Sequence, residues 1–342
     1  MLNRREFLAT TGTMCAAARS VFSAQRPAPR KRLAVITTLW TYKTHAWHMA
    51  ERFLHGYPIN GAWHQPGLEI VSAYVDQRPD GDLSQSRADE FGFTVYPTVA
   101  EALCCGGKKL DVDAVLLIGE HGNYPVNEFG QKQYPRYELF SKIVDVFRRD
   151  SRAVPVFNDK HLSWNFDYAK EMVQMSREMK FAFQAGSSLP VTWRMPSVDL
   201  PYGAEVTEAM AIANGPIDIY DFHALEMMQS MLERRAGGET GVAEVAAWRG
   251  ARLWQALDED SLPGGGWSPQ LFEACLSRSQ TLAQPESFSH RYPSVQQIRE
   301  WVTDPVYYWI RYRDGTTGHL LLLNGLVSDF TFAARIKIGR AS

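Results

Sequence analysis

Val112-Asp113-Ala114-Val115-Leu116-Leu117-Ile118-Gly119-Glu120-His121 passes from a continuous apolar, branched segment straight into charged groups. A run that is apolar at successive rather than alternate positions reads as a strand buried on both faces. Leu33 to Ile36, Leu68 to Val75, Val154 to Phe157 and Phe181 to Phe183 repeat the pattern. Helical periodicity lies between these runs, over Thr44 to Leu54, Ser84 to Phe91, Tyr137 to Arg149 and Asp167 to Lys180. Strands alternating with helices predict a doubly wound parallel sheet with helices on both faces.

The texture changes after Gly186-Ser187-Ser188-Leu189-Pro190. Glu205 to Ala213 and His223 to Arg235 read as helices, and Val242 to Trp248, Val306 to Tyr312, His319 to Leu323 and Phe330 to Ile336 as strands joined by turns such as Asp314-Gly315. This predicts an α+β unit on a largely antiparallel sheet, with the boundary near Ser188. Residues 25–187 and 188–342 are the two expected units.

Ahead of them, Arg4-Arg5 followed by an apolar run over residues 1–24 reads as a twin-arginine export signal, cleaved between Ala18 and Gln25. Phe7 to Ala18 is too short to span about 30 Å of hydrocarbon as a helix. The expected location is periplasmic, reached in a folded, cofactor-loaded state. Roughly 318 residues then remain, and the formal net charge of -2 gives no electrostatic case for nucleic acid or anionic lipid. A small-molecule partner is expected, with a homo-oligomer as a further expectation. Of the four cysteines, Cys15 leaves with the signal, and the remaining Cys104, Cys105 and Cys275 are an odd set with a vicinal pair, which rarely bridges, so no disulfide framework is implied.

In a doubly wound sheet ligands bind beyond the carboxyl ends of the strands. The first strand is followed by Thr37, Thr38, His45 and His48, the second by Asp76, the fourth by Glu120-His121-Gly122, and the fifth by Asn158-Asp159-Lys160-His161. Alone, His45 and His48 are one helical turn apart and read as surface residues, and Asp159 reads as a cap. Together they mark one edge as the site. An acidic residue after the second strand is placed to bind the ribose of a dinucleotide, which makes Asp76, with Thr37, Thr38 and Glu120, the expected cofactor-binding set. The glycine fingerprint is missing, since Ile36 to His45 contains no glycine, and Trp40 and Tyr42 are expected to fill the pyrophosphate space. The insertion from Gly56 to Gly67 lengthens the interval to Asp76.

Val112-Asp113-Ala114-Val115, Pro155 to Leu162, Ala185-Gly186-Ser187-Ser188, His223-Ala224-Leu225-Glu226 and Tyr312-Arg313-Asp314-Gly315 resemble the Gfo/Idh/MocA oxidoreductases, the family of glucose-fructose oxidoreductase and inositol dehydrogenase. The resemblance covers nearly all of the chain after the signal. It implies a Rossmann-type domain followed by an α+β domain, NAD or NADP as cofactor, and a sugar or polyol substrate. A Glu-Lys-Pro lysine of the family falls on Lys160 and a second-domain histidine on His223, with Asp159 and His161 standing for the glutamate and proline. The family's aspartate four residues before that histidine falls on Ile219, flanked by Asp218 and Asp221.

Three functions remain open at this level. The first is an exported oxidoreductase acting on a carbohydrate or polyol, with atypically bound NAD(P) and with Lys160, His223, Asp159 and His161 as catalytic residues. The second is a redox-neutral lyase, isomerase or hydrolase using a divalent metal held by His45, Glu120, His121, His161 and His223. The third is a non-catalytic sugar-binding protein.

Overall fold

The computed structural model describes residues 29–283, 285 and 293–337. The proposed signal lies outside the described residues.

Six strands form one all-parallel sheet: β1 (Lys31–Thr37), β4 (Leu68–Val75), β5 (Thr94–Val95), β6 (Ala114–Ile118), β7 (Val156–Asp159) and β8 (Phe183–Gly186). Their spatial order is β5-β4-β1-β6-β7-β8. Counted along the chain within this sheet, that is 3-2-1-4-5-6, the order of dinucleotide-binding Rossmann sheets, with the direction of winding reversing between β1 and β6. The helices α1 (His45–His55) and α2 (Ser84–Phe91) cover one face. The other is covered by α3 (Val99–Leu103), α4 (Arg136–Asp150) and α5 (Phe166–Glu178). On that face Leu139, Phe140, Ile143 and Phe147 of α4 pack on Ile36, Val115, Leu117 and Val156. Between α1 and β4 the expected insertion is a hairpin of β2 (Tyr57–Ile59) and β3 (Ala62–His64).

A second sheet follows, in the order β10-β11-β12-β9-β13. Its strands are β9 (Val206–Ala213), β10 (Val242–Arg249), β11 (Val306–Tyr312), β12 (Thr317–Leu322) and β13 (Thr331–Ile336). All pairs are antiparallel except β12 with β9. One face packs on α6 (Tyr220–Leu232) through Ala224, Met228 and Leu232. The other is covered by α7 (Ala251–Asp258), α8 (Pro269–Arg278) and α9 (Val295–Trp301). Among the described residues no helix is long and apolar enough to cross a membrane.

One element departs from its expected type. Glu205 to Ala213 is rich in helix formers, yet it forms β9, paired with β12 on one side and β13 on the other. Ala209 to Ala213 are fully buried, so pairing on both edges and burial on both faces override local helix propensity.

Candidate active site

The carboxyl ends of β1, β6 and β7 bring most of the expected residues together. Lys160 follows β7 in a left-handed conformation, φ 60°, and is 4% exposed. Its Nζ lies 3.6 Å from Glu120 Oε2. The other Glu120 oxygen accepts from Arg136 Nη2, and Arg136 is 0% exposed. A β-carbon on Gly119 would run into Arg136 Cγ, so glycine at 119 is what lets this guanidinium lie across the end of β6. Burial first, and Arg136 second, pull Lys160 down to about 8, against the opposing pull of Asp159 and Asp218. Such an amine is available in both protonation states near neutral pH.

Asp159 Oδ2 lies 2.5 Å from His45 Nδ1, and the His45 ring meets His121 edge-on at 4.9 Å. Burial lowers His121 to about 4 and His161 to about 3, with neighbouring cations adding to both shifts. His223, in the first turn of α6, hydrogen-bonds Ser187 Oγ after β8. Ser187 N donates to Glu226 Oε2 at 2.6 Å, one turn further along α6. His223 is likewise lowered to about 4, by burial and then by Lys160. These three imidazoles are neutral at physiological pH, so each offers one donor and one acceptor. Asp218 accepts from Gln131 Nε2 at 3.2 Å, and Asp221 from the Tyr308 hydroxyl at 2.7 Å.

Five buried polar atoms in this region have no protein partner among the described residues: Arg136 Nε and Nη1, His121 Nε2, His161 Nδ1 and Asn158 Oδ1. Each such atom costs roughly 1–3 kcal/mol when left unpaired. Their concentration at one edge marks where a polar ligand or bound water completes the structure.

Some expected roles do not survive the geometry. Thr37 and Thr38 are fully buried, and their hydroxyls donate to Ile118 O and Glu120 O, so they tie β1 to β6 and face no ligand. Glu120 is committed to Arg136 and Lys160, which removes it from direct cofactor binding. His45, Glu120, His121, His161 and His223 do not converge as a metal site: among the described residues no three His, Cys, Asp or Glu side chains are placed to hold an ion. His45 is paired with Asp159, Glu120 with two cations and His223 with Ser187. Lys160 and Arg136 already supply the positive charge. Arg136 was not singled out from the sequence, and Ser187 and Glu226 were named only within the stretches that carry the resemblance, without a role. The one signal for Arg136 was Gly119 beside an acidic residue at a strand end.

The residues fit a nicotinamide dinucleotide at two points. Trp40 turns inward and stacks on Phe93, ring centroids 6.0 Å apart, while Tyr42 stays exposed and meets Trp47 edge-on at 5.0 Å. Lys43, at φ 63°, takes the left-handed conformation usually given to glycine. The Thr44 hydroxyl bonds Thr41 O instead of capping α1, and the first turn of α1 has no acidic residue. The first-turn amides of α1 thus remain available to a pyrophosphate. Asp76 is exposed and accepts from the Tyr74 and Tyr124 hydroxyls, each at 2.7 Å. One bond per carboxylate oxygen leaves acceptor capacity for a ribose diol.

No protein-family model matches the chain, and no curated protein matches it. Solved structures do. Myo-inositol 2-dehydrogenase from Lactobacillus plantarum shares 12% identity at a TM-score of 0.48, over 91% of this chain and 75% of that one. UDP-N-acetylglucosamine 3-dehydrogenase from Acidithiobacillus ferrooxidans shares 12% at 0.46, over 90% and 73%. Biliverdin reductase from Synechocystis sp. PCC 6803, solved with biliverdin and NADP+, shares 12% at 0.45, over 90% and 79%.

Proposed function

We propose that the protein is an exported, NAD(P)-dependent oxidoreductase that oxidises a secondary alcohol of a carbohydrate or polyol, or reduces the corresponding carbonyl. The observation that carries this reading is Lys160: a desolvated amine at the carboxyl edge of a Rossmann sheet, one strand beyond the point where the winding reverses and beside Glu120 at the end of β6. The first-turn amides of α1 and the Asp76 carboxylate would hold the dinucleotide, which supplies the hydride acceptor when bound.

The protein's own part is proton handling and orientation. Neutral Lys160 accepts the proton of the substrate hydroxyl as the carbon–hydrogen bond is lost, and the resulting ammonium stays hydrogen-bonded to the new carbonyl oxygen. Glu120 stands beside that ammonium, while Arg136 keeps its charge from being over-stabilised. The neutral rings of His121, His161 and His223 each pair with a hydroxyl, donating or accepting, which suits a polyhydroxy compound better than an anion.

The pH dependence follows from the sign of the Lys160 shift. Below about 8 the amine is protonated and cannot take a proton, so alcohol oxidation should rise with pH between about 7 and 9 and level off above. Carbonyl reduction should run the opposite way. Initial rates of NAD+ or NADP+ reduction with a panel of inositols, hexitols and aldoses test both the reaction and the slope. A profile flat across that window in both directions would remove Lys160 from the proton step, and no turnover with any of the panel would count against the reaction itself.

Export is a separate claim, resting on Arg4 and Arg5. Lysine keeps the charge but loses the paired guanidinium pattern read by the twin-arginine receptor. The Arg4→Lys, Arg5→Lys variant should therefore stay in the cytoplasm on cell fractionation. Normal export of that variant would assign the chain to the general secretory route.

A further inference from the structure

The parallel sheet carries a second group of reactive side chains at the edge opposite Lys160. Cys104 and Cys105 directly follow Leu103, where α3 ends, and Cys105 adopts a left-handed φ of 48°. Arg32, near the start of β1, places Nη2 3.2 Å from Cys105 Sγ. Arg149, in the last turn of α4, places Nη2 3.1 Å from Cys104 Sγ. Both guanidinium groups are fixed from behind. Arg32 Nη2 also donates to Asp111 Oδ2 at 2.8 Å, and Arg149 Nε and Nη2 donate to Asp150 at 2.8 and 2.9 Å. The sulfurs of two consecutive residues thus each face a held guanidinium N–H, and Cys105 Sγ also lies 3.9 Å from Ala102 O and 3.8 Å from Asp111 O.

The third described cysteine is a built-in control. Cys275 is fully buried, points its thiol at Met210 O, and is pushed up to about 12 by burial. It has no guanidinium within reach among the described residues. Cys105 is partly exposed and Cys104 is 3% exposed, so one thiol is outer and the other inner. Exposed Lys108 and Lys109 follow within the same turn region.

We propose that Cys104 and Cys105 form a thiol-exchange site for small disulfides that carry negative charge. Cys105 attacks one sulfur of the small disulfide; a new sulfur–sulfur bond forms, the old one breaks, and the departing sulfur leaves as a thiolate that takes a proton from water. Cys104 then attacks Cys105 and releases the second small thiol. Two protein thiols are oxidised to one bridge and one small disulfide is reduced to two thiols. A bridge between adjacent residues is strained and so readily reduced again, which makes the site reversible. Lys108 and Lys109 favour an anionic disulfide over a cationic one.

The test uses reduced mature protein, treated separately with oxidised glutathione and with cystamine, followed by thiol release and intact mass. Wild type should end two hydrogens lighter, reacting faster with glutathione disulfide than with cystamine. Cys104→Ser should stop at a mixed disulfide on Cys105, Cys105→Ser should react at least about tenfold more slowly, and Arg32→Gln about tenfold more slowly, the scale of losing one charge-assisted contact. An adduct on Cys275, wild-type rates in Cys105→Ser, or cystamine reacting at least as fast would each overturn the proposal. None of these readouts depends on the oxidoreductase reading.

Discussion

Lys160→Met is expected to lower turnover by about 10²–10⁴-fold while leaving the protein folded, because it removes the group placed to accept the substrate proton and little else. Methionine is close to lysine in length and tolerates burial, so the packing under the site is kept. Glu120 retains Arg136 as its ion-pair partner, so no buried carboxylate is stranded. Thermal stability should therefore be unchanged or slightly raised, and dinucleotide affinity should change by less than about threefold, since Lys160 is not among the groups that fit the cofactor. The measurement is kcat at saturating substrate together with the melting temperature. Full turnover in this variant would mean that another group takes the proton.

Arg136→Met should act on stability first. Arg136 is 0% exposed, and burial pulls it down to about 10, which still leaves it charged at neutral pH. Its removal leaves Glu120 facing only Lys160 at 3.6 Å and opens the space beside Gly119. Removing one partner of a buried pair costs roughly 3–5 kcal/mol. Urea unfolding should show a loss of about 3 kcal/mol or more. Adding Glu120→Gln should recover part of it, since the stranded charge is then gone. A loss below about 1 kcal/mol in the single variant would show that Lys160 alone satisfies Glu120.

How much of this was legible in the sequence differs element by element. Leu68 to Val75 and Ser84 to Phe91 match β4 and α2 end to end, because strict periodicity and turn residues agree there. Val112 to Ile118 loses two residues to the loop before β6. Glu205 to Ala213 failed because its pairing partners lie far along the chain, and local propensity does not report them. The gathering of Glu120, His121, Asp159 and Lys160 at one edge was legible because a parallel sheet delivers all its strand ends there. Roles within the site were not. Whether Glu120 meets a metal, a cofactor or Arg136 depends on a helix that starts beyond an intervening loop and on the absent side chain of Gly119. Trp40 was misplaced for the same reason: its neighbour Phe93 is brought to it only by the fold.

The direct test of the proposed chemistry is dinucleotide binding by the protein itself. NADH and NADPH are titrated separately into cofactor-stripped protein, and binding is followed by quenching of tryptophan fluorescence. Saturable binding of at least one of them, one per chain, weakened about tenfold or more by Asp76→Ala, is the predicted result. Failure of both dinucleotides to bind the wild-type protein would contradict it.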